Sequence, residues 1–158
     1  MEKIKVEIYC DGSCPKPNGP GGWAYIMRIT ESEVERRDSG GTAMTTNNKM
    51  ELGGLIAALK VLPKACSLTI TSDSQYVING INDWMKKWKG NGWKKYNHET
   101  KKMEEPANLV LWKELDELLK IHEYVGKWVR GHNGHPENEW CDEAAGLKTE
   151  EYKKEAGL

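Results

Sequence analysis

No stretch of this chain approaches the run of about 18 apolar residues that a membrane-spanning helix requires. The opening residues Met1-Glu2-Lys3-Ile4 lead straight into a strand pattern and lack the apolar core of a secretory signal, so the expected location is the cytoplasm. Four cysteines, Cys10, Cys14, Cys66 and Cys141, are too few and too scattered to scaffold 158 residues, and they read as reduced thiols. Low-complexity stretches and internal repeats are also lacking. What remains is 38% hydrophobic and 30% charged, the balance of one globular domain that buries roughly 70% of its unfolded surface.

The near absence of net charge, −1 in all, conceals an asymmetry. Residues 84–102 carry seven lysines (Lys86, Lys87, Lys89, Lys94, Lys95, Lys101, Lys102) and a single acid, Glu99, so this segment holds +6 and the rest of the chain −7. An acidic body suits cations, and a basic arm suits a polyanion.

Hydrophobic periodicity gives the order β-β-β-α-β-α-α-β-α. Lys3–Cys10 alternates apolar and polar residues, as a strand does. Residues 12–22 are turn-formers throughout. Trp23–Ile29 and Glu33–Ser39 complete an antiparallel meander. Thr46 opens a helix whose Leu52, Leu55, Ile56, Leu59 and Leu62 share one face, and Pro63 ends it. Leu68–Ser72 reads as the fourth strand, Asp73–Ile81 as a short helix, Leu109–Ile121 as an amphipathic helix, Tyr124–Val129 as the fifth strand and Asn138–Leu147 as the last helix. The expected domain is 1–147, with a basic protrusion over about 82–104 and a frayed tail over 148–158. A meander followed by crossovers gives a mixed sheet with helices on both faces, and strand-end residues collect at one edge of it.

Four acids fall where a core least accommodates them: Asp11 and Asp73 at strand ends, Glu51 beside the apolar face of a helix, and Asp142 in the last helix. A carboxylate at a core edge is costly without a positive partner, and no Lys or Arg is placed to answer all four. A pair of hard divalent cations with oxygen ligands would. Taken singly, Asp73 is explained by a helix cap and Asp11-Gly12 by a turn. Glu51, inside a helix, has no such alternative. A zinc site from Cys10, Cys14, His132, His135 and Cys141 is the rival, but Cys10 is in phase with its strand's buried face and Cys-x₃-Cys is loose spacing.

Four blocks then carry a resemblance: Tyr9-Cys10-Asp11-Gly12-Ser13-Cys14, Thr45-Thr46-Asn47-Asn48-Lys49-Met50-Glu51-Leu52, Thr71-Ser72-Asp73-Ser74-Gln75-Tyr76-Val77, and Gly131-His132-Asn133-Gly134-His135-Pro136-Glu137-Asn138-Glu139-Trp140-Cys141-Asp142. In this order and spacing they resemble type I ribonuclease H, over about the whole chain, and the tryptophan-bearing basic segment resembles that family's handle. The resemblance implies a ribonuclease H-like five-stranded mixed sheet, three antiparallel strands and then parallel ones. It implies hydrolysis of the RNA strand of RNA–DNA hybrids, leaving 5′-phosphate and 3′-hydroxyl ends, by a monomer with two Mg²⁺ for which Mn²⁺ substitutes.

Carried over residue by residue, Asp11 matches the carboxylate shared by both metals, a position that the residues by themselves assign to none of the four. Asp142 completes one shell, and Glu51 and Asp73 the other. His132 matches a mobile-loop histidine active in turnover. Asn48 and Gln75 match residues at the hybrid's minor groove, Cys14 and Asn47 residues at the groove surface, and Thr46 a DNA-phosphate pocket. In that pocket the family's Asn-Pro is reversed at Pro17-Asn18, and Met44 stands where a basic residue is common. Trp84 and Trp88, four apart on one helix face, read as packing at the base of the protrusion and as an aromatic surface for sugar. Lys86, Lys87, Lys94 and Lys95 read as phosphate partners. A non-catalytic hybrid-binding module is the reading from another class, opposed by the presence of all four carboxylates. A related two-metal nuclease or strand-transfer enzyme is the third, opposed by the handle and the Thr-Thr-Asn-Asn block.

Overall fold

The computed structural model describes residues 2–32, 34–131 and 133–158. Strand β1 (Ile4–Ser13) lies at the centre of a five-stranded sheet. It pairs antiparallel with β2 (Gly19–Ile29), which pairs antiparallel with β3 (Glu35–Thr45). On its other side β1 pairs in parallel with β4 (Cys66–Ser72), and β4 in parallel with β7 (Glu123–Trp128). The ribonuclease H-like mixed sheet is therefore present. The alternation read from Lys3 onward is real: Val6, Ile8 and Cys10 are buried under helix α1 (Asn47–Lys60) together with Leu52, Leu55 and Leu59. The opposite face is covered by α5 (Pro136–Glu155), whose Cys141 and Ala145 meet Ala24 and Ile26.

Several boundaries differ from the sequence reading. The stretch 12–22 is not all turn, because β1 continues through Ser13 and β2 starts at Gly19. Glycine there serves layer spacing as well as turning: a Cβ on Gly22 would lie 2.3 Å from the Ala145 carbonyl of α5. Strand β3 runs on to Thr45, well past Ser39, and Glu33 lies outside the described residues. Helix α1 ends at Lys60, with Val61 as its cap, short of Leu62. The segment 148–158 is not a frayed tail: α5 is helical through Glu155, and Thr149 is buried, its hydroxyl donating to Ala145 O at 3.0 Å. Polar composition hid this continuation, since its one buried residue there is a threonine.

The segment between β4 and β7 is more broken than the two helices expected there. Helix α2 (Gln75–Asn79) passes into a π-helical turn, Gly80–Trp84, and then α3 (Met85–Gly90). A small ribbon, β5 (Lys95–Asn97) with β6 (Lys102–Glu104), follows before α4 (Leu109–Leu119). Three-residue strands carry too little periodicity to be read in advance.

Candidate active site

Strand β1 ends beside the first turn of α1. Thr46 starts that helix, its hydroxyl oxygen accepting the Lys49 N–H at 3.3 Å, and Glu51 follows within about one turn. The contact between the two elements is made by Gly12: a Cβ there would lie 2.4 Å from the backbone N of Glu51. Only a residue without one lets strand and helix backbones touch, and this contact sets Asp11 against Glu51. Asp73 follows the last residue of β4. The helix after it is capped by Ser74, whose hydroxyl oxygen accepts the Val77 N–H at 3.2 Å, so the Asp73 carboxylate is not consumed as a cap. Asp11 lies within β1 and forms no turn. Both structural explanations of these acids are thereby removed.

Single oxygens of Asp11, Glu51 and Asp73 all lie within 4.8 Å of one another. Asp11 is 2% and Glu51 5% exposed. Burial first, then the charge of Asp73, pushes the Asp11 carboxyl up to about 8, against the opposing pull of the adjacent Glu51 carboxyl and the Gly12 N–H; Asp142 adds a smaller push. Glu51 is held well above the usual carboxylate range by burial and then by the Asp11 charge. Asp11 Oδ1 accepts the Gly12 N–H at 2.9 Å, whereas Asp11 Oδ2 and Glu51 Oε2 are buried with no hydrogen-bond partner. Two orphaned carboxylate oxygens on neighbouring members of one acidic cluster fit hard divalent cations. Among the described residues this acidic trio is the one group of metal-binding type, and no Cys/His cluster stands beside it. The zinc alternative gains no support from Cys10 and Cys141, both buried as free thiols.

Asp142 lies on α5, half-buried and near enough for its charge to act on Asp11. His132 lies outside the described residues. The loop before α5 reaches the site at Gly131, where a Cβ would stand 2.8 Å from Asp73 Oδ2. Trp128, absent from the sequence reading, donates its indole N–H to the Asp73 carbonyl at 2.9 Å. An exposed aromatic at a strand end is too common a feature to have signalled this.

Around the carboxylates, Asn47, Asn48 and Gln75 are exposed at the starts of α1 and α2. Cys14 is half-buried, its Sγ 3.1 Å from Lys16 O and 3.5 Å from Thr45 O, which ties the β1–β2 turn to the entry of α1. Asn18 adopts φ 65° and donates its N–H to Thr45 O at 2.7 Å; Met44 is 74% exposed. In the basic arm Trp84 and Trp88 lie 6.0 Å apart by ring centroid, and Trp88 and Tyr76 both meet the fully buried Trp112. Tyr76, Trp84, Trp88 and Lys95 line a cleft of about 290 Å³ with Pro106 and Ala107. Lys86, Lys87, Lys94 and Lys95 are exposed; Lys87 pairs with Asp83 at 3.2 Å and Lys89 with the buried Asp116 at 3.0 Å.

A sequence profile of the family described as RNase H matches residues 3–150. A ribonuclease H of Geotalea uraniireducens is 45% identical over 150 residues, covering 95% of this chain and 97% of that protein. One of Pseudomonas entomophila is 46% identical over 148 residues, covering 94% and 95%. Among solved structures, LC9-RNase H1, described as a type 1 RNase H with the type 2 active-site motif, superposes with a TM-score of 0.79 at 28% identity, covering 94% of this chain and 75% of that one. LC11-RNase H1, solved in complex with RNA/DNA hybrid, shares the fold at a TM-score of 0.62 and 17% identity, covering 90% and 97%. Fold, acidic cluster and relatives together define the class, an α/β nuclease that uses divalent cations. The chain belongs to the ribonuclease H family.

Proposed function

We propose that Asp11, Glu51, Asp73 and Asp142 form the catalytic centre of an endonuclease that hydrolyses the RNA strand of RNA–DNA hybrids with two Mg²⁺, Mn²⁺ being able to substitute. The observation that carries this reading is the buried trio Asp11, Glu51 and Asp73, with its two unpartnered oxygens. Divalent cations, when bound, supply the positive charge that an in-line phosphodiester displacement needs at its attacking and leaving oxygens. Asp11 and Glu51 hold them with oxygens that nothing else in the fold satisfies, and Asp73 and Asp142 complete the shells. Asn48 and Gln75 present amides, able to donate and accept, for the 2′-hydroxyl and base edges of a wide minor groove. Asn47 and Cys14 flank that surface. Thr46 lies where a DNA phosphate would approach, although its hydroxyl already caps α1. His132 is assigned to proton transfer or product release. Four free cysteines, three of them buried, suit a reducing compartment, and the reading includes a cytoplasmic monomer.

Incubation with a labelled RNA–DNA hybrid and with duplex DNA, each with Mg²⁺ and with EDTA, tests it. Cleavage confined to the RNA of the hybrid and to Mg²⁺ is the expected result. Equal cutting of duplex DNA would refute the 2′-hydroxyl as discriminator.

The arm sets affinity. The phosphate partners are Lys86, Lys87, Lys94 and Lys95, of which Lys87 would exchange its exposed pair with Asp83 (3.2 Å) for a phosphate, with Trp84 and Trp88 forming the aromatic wall of the cleft beside them. Changing these four lysines to Ala is expected to raise KM and to flatten the log–log salt dependence by roughly 0.9 per lost phosphate contact. An unchanged slope in a titration of KM against salt would assign them to a solvated face.

A further inference from the structure

The stretch that joins the carboxylates to the basic arm is held at both ends by one face of β7. Positions 124, 126 and 128 share that face, because side chains alternate along a strand. At one end Trp128 donates to the Asp73 carbonyl at 2.9 Å. At the other, the Tyr124 hydroxyl donates to Ile81 O at 3.3 Å, within the π-helical turn. Between them Asn82 makes two bonds to a single residue of the strand: its Nδ2 donates to Gly126 O at 3.0 Å, and its Oδ1 accepts the Gly126 N–H at 2.9 Å.

β7 is an edge of the sheet, so its outer N–H and C=O groups have no strand to pair with. The carboxamide of Asn82 offers the donor and the acceptor that a neighbouring strand would offer. The space for it depends on glycine: a Cβ at 126 would lie 2.9 Å from Ile81 Cδ1 and 3.0 Å from Asn82 Oδ1. π-Helical turns interrupt regular helices and occur frequently at functional sites. This one stands where α2 leaves the body and α3 begins the arm.

We propose that Asn82 is a positioning residue, whose two-point clip to Gly126 fixes the direction in which the basic arm leaves the body and so sets the arm's lysines in register with the carboxylates along a bound hybrid. The inference rests on the hybrid-cleaving reading above. Asn82 is exposed and belongs to neither the acidic cluster nor the aromatic cleft. The arm keeps other anchors, the Trp88–Trp112 contact and the Lys89–Asp116 pair, so the fold does not depend on the clip.

The test compares Asn82→Ala and the isosteric Asn82→Asp with the unmodified protein, on a long hybrid that reaches the arm and on a short one confined to the carboxylates. Asn82→Ala is expected to raise KM at least about fivefold on the long hybrid, with kcat at saturation within about twofold. Neither parameter should change on the short hybrid. Hydrogen exchange of amides 84–104 should quicken in the same variant. Asn82→Asp keeps the acceptor for Gly126 N–H but turns a carboxylate toward the Gly126 carbonyl, so it should show the same selective rise, and it carries the test if the Ala variant does not fold. An unchanged KM in both variants, an equal rise on the short hybrid, or a fall in kcat in proportion would overturn the assignment. An unmodified protein that cleaves neither hybrid would instead overturn the functional reading, and this inference with it.

Discussion

Asp11→Asn is expected to lower hybrid cleavage by at least about 10³-fold, roughly 4 kcal/mol of activation free energy, and to raise thermal stability in EDTA. The two effects have one source. Asp11 is 2% exposed, and its Oδ2 has no partner. An amide at the same place keeps the oxygen that accepts the Gly12 N–H, and it turns the orphaned atom into a donor in a cluster of acceptors. The amide is neutral at every pH, so the cost of either holding a proton on the buried Asp11 carboxyl or burying its charge beside Asp73 disappears. A gain of about 1–2 kcal/mol, or roughly 3–6 °C for a domain of this size, is expected in unfolding scans. The same substitution removes a ligand to the cations, so the gain in stability comes with a collapse in turnover. A variant that keeps more than about a tenth of the activity, about 1.4 kcal/mol of barrier, would remove Asp11 from the catalytic centre.

Without divalent cations, stability should fall as pH rises from about 4 to about 8, and saturating Mg²⁺ should remove most of that slope. In the folded chain the Asp11 carboxyl keeps its proton up to about 8, whereas its ordinary value is 3.8. Between these limits the folded state binds more protons than the unfolded one. Raising the pH therefore favours unfolding, and the contribution is complete only below the lower value. Glu51, raised by the same burial, acts in the same direction. A cation takes the place of the proton. At a hundred times its Kd it stabilises by about 2.7 kcal/mol, and it releases protons on binding. Melting curves across this pH range, with EDTA and with Mg²⁺, measure the slope. Titration calorimetry in buffers of different ionisation enthalpy measures the protons released. A melting temperature that climbs with pH in EDTA would contradict the assignment.

The acidic cluster was legible in the sequence because its members break local rules. Glu51 has no structural reason to sit beside an apolar helix face, whereas Asp73 reads from the sequence alone as a helix cap, and only the structure, where Ser74 takes that role, frees it. The sheet was legible too, since Val6, Ile8 and Cys10 obey a period of two. What escaped has weak or absent periodicity. The ribbon β5–β6 has strands of three residues, and the last turns of α5 are almost all polar. The Trp128–Asp73 bond joins residues 55 apart through a backbone carbonyl, and a backbone group has no residue type to read. Glycine was ambiguous. Gly12 and Gly22 look like turn residues, yet both lie inside strands and admit a neighbouring backbone.

The contact at Gly12 makes the distance between two acids depend on an atom that is not there. A screen that changed only ionisable residues would pass over this position, since it offers no charge, no donor and no ligand from a side chain. Yet a single methyl group at residue 12 would push β1 from α1 and separate Asp11 from Glu51 while leaving every acid of the cluster in the sequence. The tolerance of the site is therefore steric as well as chemical, and its narrowest margin belongs to the smallest residue in it.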